Sequence, residues 1–141
     1  MQPNVIAAIV CSVGSMILGM IWHSQSLFGR TYMKALGADM NMPPEKMKEI
    51  QKKMWQILLT QFLLTVFQVW VLWFYVLGPI DMMSTVASTI WIWAGFVMPT
   101  IAGASLWSAR PRKDAWKIFW ISAGYQLVNF IMFGLVLKFW I

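Results

Sequence analysis

The residues of this sequence best placed to do chemistry are neutral hydrogen-bonding groups lying inside apolar runs. Gln61, Thr65 and Gln68 recur at four- and three-residue steps and so share one face of a helix; Ser122, Gln126 and Asn129 repeat the pattern, with Tyr125 nearby. Counted inward from Lys53 and from Asp114, the two stripes match level for level: Gln61 with Ser122, Thr65 with Gln126, Gln68 with Asn129. Polar groups inside a bilayer are costly unless paired. Two roles therefore fit. The amides and hydroxyls hold helices together, typically for about 0.6 kcal/mol and up to roughly 2 kcal/mol each, or they line a path or pocket for a small neutral or weakly polar solute. No Asp, Glu, Lys, Arg or His lies at this depth, which argues against a proton-coupled transporter or ion pump using an intramembrane carboxylate.

Harder chemistry finds no constellation. His23 is the single histidine, set in the stretch Trp22, His23, Ser24, Phe28, Gly29 and Arg30 where an apolar run meets water. A haem or metal centre needs further ligands, and no second histidine, intramembrane carboxylate or cysteine pair accompanies it. An interfacial polar role fits His23, with a ligand role left only if another subunit helps. Thioethers suit Cu(I), but Met40 and Met42 fall on the opposite side of the expected membrane from Met82 and Met83, so the twelve methionines read as apolar filler. With no Ser/His/Asp set, no plausible carboxylate pair and no Gly-rich phosphate loop after a strand, the sequence points to no catalytic residue, cofactor or metal ion.

The elements that must position these residues follow from composition. The chain has 141 residues, 60% of them hydrophobic and 11% charged, too apolar for a soluble domain of this length. Charge-free stretches interrupt it four times, each reaching the roughly 20 residues that a helix needs to cross hydrocarbon. The expectation is an all-α integral membrane four-helix bundle, a single domain over residues 1–141, with spans near 4–22, 54–77, 82–107 and 115–140. The N-terminus lacks a basic region and a small-residue cleavage site, so the first run reads as a mature span.

Span one aligns Ala7, Cys11, Ser15 and Gly19 at four-residue spacing, a small-residue stripe of the kind that lets helix backbones approach closely in lipid. In loop 24–53, the mixed aromatic and basic residues from Leu27 predict a short interfacial helix that Gly37 is placed to end. Pro44 and Glu45 start another helix, whose apolar recurrence at Met47, Ile50, Met54 and Ile57 predicts an extension of span two. The turn Gly78-Pro79-Ile80-Asp81 makes spans two and three antiparallel neighbours. Span three contains Pro99, hence an expected kink, and places Gly95, Pro99 and Gly103 on one face between Trp91 and Trp107.

Orientation is read from Lys and Arg. Arg30, Lys34, Lys46, Lys48, Lys52, Lys53, Arg110, Arg112, Lys113 and Lys117 all flank loops one and three, whereas the opposite side holds only Lys138. Both termini should be non-cytoplasmic and both basic loops cytoplasmic, in the inner membrane of a prokaryote. The formal net charge of +6 is topology rather than a nucleic-acid footprint, since these cations sit at helix ends. Anionic headgroups are the expected partners of the basic loop one.

Two motifs carry a family resemblance. Gly19, Trp22, Ser24, Phe28, Gly29, Tyr32 and Met33 meet the pattern G-x-x-W-Y-S-x-x-x-F-G-x-x-[WY]-M, with His23 where tyrosine is expected. Arg112, Ile121, Gly124, Tyr125 and Leu127 fit a basic turn followed by I-x-x-G-Y-x-L. The chain thus resembles a family of small prokaryotic four-span membrane proteins, domain-of-unknown-function family 1761, over most of its length. The resemblance implies a fold and a membrane location, and no activity. The functional expectation is a non-catalytic structural or accessory subunit or a homo-oligomer; the alternative is an oligomeric transporter or channel lined by the polar residues of spans two and four.

Overall fold

Without water to bond its N–H and C=O groups, a long apolar run in a bilayer satisfies its backbone as a helix. The computed structural model describes residues 4–38, 41–76 and 82–140, the side chains of 82–84 excepted, and every regular element among them is helical. The expected turn at 78–81, Asp39, Met40 and the side chains of Met82 and Met83 lie outside the described residues.

Helix α1 covers Val5–Trp22 and opens at Asn4, whose Oδ1 accepts the Ile6 N–H at 3.0 Å, satisfying a donor that the helix cannot. The short α2, Gly29–Ala35, ends in a paired closure: the Ala38 N–H donates to Met33 O at 3.1 Å and the Gly37 N–H to Lys34 O at 3.0 Å. That closure needs a left-handed residue, and Gly37 supplies it with φ of +72°. Helix α3 runs unbroken over Pro44–Val76, with its proline in the first turn, where a missing N–H costs nothing. At 1.5 Å per residue α3 is about 50 Å long, well beyond a hydrocarbon thickness of about 30 Å. Its first buried residue is Thr65, so the earlier turns are covered only in part by the rest of the chain.

Span three is α4 (Met82–Ile92), a π-helical turn (Trp93–Val97) and α5 (Met98–Leu106). The irregularity begins one turn before Pro99. The proline ring crowds the carbonyl four residues back; one extra residue in the preceding turn makes room, and the Met98 N–H reaches Trp93 O instead. Thr100 Oγ1 donates to Phe96 O at 2.6 Å in the same stretch.

The last helix, α6 (Arg112–Trp140), is the hub, touching α1 through α5 and the π-turn. Phe130, Phe133 and Leu137 join Val69, Leu72, Trp73 and Val76 of α3 and Ala7, Ala8 and Cys11 of α1 in one buried cluster. Gly134 brings α4 close, since a Cβ there would stand 2.8 Å from Thr89 Oγ1 and 3.2 Å from Val86 Cα. Two indoles bind the α6 backbone: Trp22 Nε1–H donates to Ile121 O at 3.0 Å and Trp93 Nε1–H to Ala123 O at 3.1 Å. A carbonyl has two lone pairs, so it can accept an indole as well as its own helix bond. Four segments are long and apolar enough to cross a membrane: Val5–Trp22, Pro44–Val76, Thr85–Leu106 and Arg112–Trp140.

Candidate functional site

Where α1 ends, the chain turns sharply to begin α2. The His23 N–H donates to Gly19 O at 3.0 Å, and the His23 ring donates to the same carbonyl through Nδ1 at 3.1 Å, leaving Nε2 for other partners. The Phe28 N–H returns to Trp22 O at 3.2 Å and the Gly29 N–H to Ser24 O at 2.9 Å. A side chain on Gly29 would run into His23 O and stand 2.7 Å from Ser24 O, so the turn closes only with glycine. This closure packs Phe28 against Trp22 at a tilt of 40°, with centroids 4.8 Å apart, and sets Tyr32 edge-on to His23 at 5.1 Å.

Helix α6 completes the arrangement with Tyr125, edge-on to His23 at 5.4 Å and 6.5 Å from Trp22. Its hydroxyl donates to Ser15 O at 2.9 Å and lies 3.2 Å from Ser15 Oγ. Gly19 leaves the necessary space, since a Cβ there would be 3.0 Å from the Tyr125 hydroxyl. Gly124 does the same for Trp22, whose ring would be 3.2 Å from an added Cβ. The two sequence motifs, far apart in the chain, thus pack on each other.

They enclose part of a cleft of about 440 Å³ among α2, α5 and α6. His23, Tyr32, Ser105, Arg110, Ser122, Tyr125 and Gln126 line it with polar groups, beside apolar Leu36, Ile101, Ala104 and Ile118. None of the lining residues is acidic. Ser105 carries no sequence signal as a site residue and Arg110 reads there only as a topological charge; the signals pointing here are the four-residue step between Ser122 and Gln126 and the motif residues His23, Tyr32 and Tyr125. A second cavity, of about 370 Å³, shares His23 and is lined by Gln25, Gly29, Arg30, Met33, Met42, Met47 and Ile50.

The seven polar residues read as one intramembrane cluster are parted by the fold. Gln61 and Gln68 line an open groove of about 450 Å³ between α3, span three and α6. The Gln61 amide turns along its own helix to Thr65 Oγ1 at 3.4 Å, while Thr65 Oγ1 donates to Gln61 O at 2.8 Å. Ser122, Tyr125 and Gln126 face the other cleft, and Asn129 is buried with Oδ1 unpartnered. Phe130 and Phe133 of α6 lie in the buried cluster with α3, while Ser122 and Gln126 line the cleft with α2 and α5. The stripe of span one lies inward: Ala7, Cys11 and Ser15 are buried, and Gly19 sits under Tyr125.

Span three presents the opposite situation. Added Cβ atoms at Gly95 and Gly103 would meet nothing within 4 Å. Around them Trp91 is 77% exposed, Phe96 75% and Trp107 93%.

Among the described residues, fold and composition define an all-α protein with four helices long and apolar enough to span a membrane. The chain belongs to the family described as "Protein of unknown function (DUF1761)", whose model matches residues 6–138. No curated protein and no solved structure matches it. Among the described residues no group of three or more His, Cys, Asp or Glu is arranged to hold a metal ion.

Proposed function

We propose that this protein is a non-catalytic subunit of a membrane assembly, joined to further copies of itself or to an unlike membrane protein through span three. The observation that carries this reading is the open small-residue face at Gly95, Pro99 and Gly103. Lipid offers helices no hydrophobic drive to associate, so close backbone approach at small residues is the main means of docking. Within the chain that means is used where α1 meets its neighbours, at Ala7, Cys11 and Ser15. On span three the same type of face has no partner in the chain.

The basic residues favour placing both termini outside the cytoplasm, loops one and three inside, and the protein in the inner membrane of a prokaryote. In this setting α2 lies at the headgroup level, and the lysines around the start of α3 face anionic lipid.

Replacing Gly95 and Gly103 by Leu tests the reading. In a mild detergent, native mass spectrometry of the unaltered protein is expected to show a homo-oligomer or a reproducible unlike partner, and the double variant a monomer that remains folded. An unaltered protein that is monomeric and alone under these conditions and in native membranes overturns it.

One observation favours a second reading, an oligomeric conduit for a small solute. In this reading a neighbouring copy covers the open groove lined by Gln61 and Gln68. If so, Gln68→Leu abolishes flux in reconstituted vesicles without changing assembly; unchanged flux rejects it.

A further inference from the structure

We propose that the cleft between α2, α5 and α6 binds the phosphate headgroup of an anionic phospholipid, with Arg110 and the polar groups around His23 as its recognition surface. The proposal rests on the membrane location and not on assembly through span three.

Charge selects the sign of the ligand. Arg110 lines the cleft and no carboxylate does. The nearest acid in sequence, Asp114, stands 4.0 Å from Lys117. A guanidinium presents several N–H donors in a planar fork suited to phosphate oxygens. The Tyr32 hydroxyl, the hydroxyls of Ser105 and Ser122 and the Gln126 amide supply further donors around the same space. His23, whose Nδ1–H is committed to Gly19 O, offers Nε2 as an acceptor for a hydroxyl of the headgroup rather than for the phosphate itself.

Shape selects an amphiphile over a bare anion. The cleft lies at the end of the spanning helices that carries Arg110, Arg112, Lys113 and Lys117, where headgroups sit in the proposed orientation. Its other wall is Leu36, Ile101, Ala104 and Ile118, apolar side chains that an acyl or glycerol portion can lie against. A volume of about 440 Å³ accommodates a phosphate and part of its glycerol ester but not two chains, so the tails extend along α5 and α6 into the bilayer. The wall formed by Tyr125 is rigid, since its hydroxyl is held by Ser15. The site is therefore formed before the lipid arrives, which lowers the cost of binding.

The full-length protein, delipidated in a mild detergent, would be titrated with phosphatidylglycerol and with phosphatidylcholine, and adducts counted by native mass spectrometry. The expected result is one phosphatidylglycerol retained per chain, at least about tenfold more tightly than phosphatidylcholine. Arg110→Gln should erase that preference, whereas Arg112→Gln, which removes the same charge from the same turn outside the cleft, should leave it within about twofold. Equal losses in the two variants would reduce the effect to general surface charge and overturn the site. Inorganic phosphate that binds as tightly as the lipid would overturn the lipid assignment in favour of a free anion. Thermal melts of both variants check folding, and the oligomeric state in the same spectra reports separately on span three.

Discussion

Tyr125 on α6 and Ser15 on α1 are joined by two contacts through a single hydroxyl, 2.9 Å to the Ser15 carbonyl and 3.2 Å to its side-chain oxygen. The pair locks the first helix to the last beneath the turn at His23. Tyr125→Phe removes both contacts and should lower stability by about 1–2 kcal/mol, and Ser15→Ala, which spares the carbonyl bond, by less than about 1 kcal/mol. Thermal unfolding in detergent of both single variants and the double variant gives the coupling between them. Additive losses would show that the two residues do not act as a pair.

The glycines at the two ends of the first turn and α2 should respond differently to substitution. Gly29 is barred from a side chain by His23 O and Ser24 O, so Gly29→Ala should cost at least about 3 kcal/mol or prevent accumulation. At Gly37 space is open and only φ of +72° restricts the choice. Asparagine tolerates that region, so Gly37→Asn should cost well under about 1 kcal/mol. Comparable losses at the two sites, by yield and melting temperature, would remove the distinction.

In the core, Asn129 Oδ1 and Trp73 Nε1 are buried without hydrogen-bond partners. An unpaired buried acceptor is a cost, so Asn129→Leu should hold or raise the stability of the isolated chain, by up to about 1 kcal/mol. A loss of more than about 1 kcal/mol, measured by thermal unfolding, would contradict the unpartnered state of Oδ1 in the folded chain.

Helix positions were legible where solvent dictates them. The four charge-free runs become the four long apolar segments, the recurrence from Met47 to Ile57 becomes continuous α3, and Gly37 ends α2 as its lack of a Cβ suggests. The site was less so, because sharing a face of one helix does not say which neighbour that face meets. Ser122 and Gln126 share their predicted face yet line a cleft with α2 and α5 rather than meeting Gln61 and Thr65. Their rotation is set by Phe130 and Phe133 filling the space next to α3, a packing outcome with no local signature. Pro99 signals a disturbance in span three, but its form, a π-turn at Trp93–Val97, depends on how the preceding turn takes up an extra residue.

The most direct test of docking through span three is photo-crosslinking in native membranes. A benzophenone amino acid at Phe96, beside the Gly95 and Gly103 face, would be compared with one at Ile17 on the exposed side of α1. The expected result is a discrete adduct from position 96, of either twice the chain mass or a constant larger mass, that Gly95→Leu with Gly103→Leu eliminates and that position 17 does not give. A fully incorporated, membrane-inserted protein yielding no discrete protein adduct from position 96, or the same adducts from both positions, would contradict it.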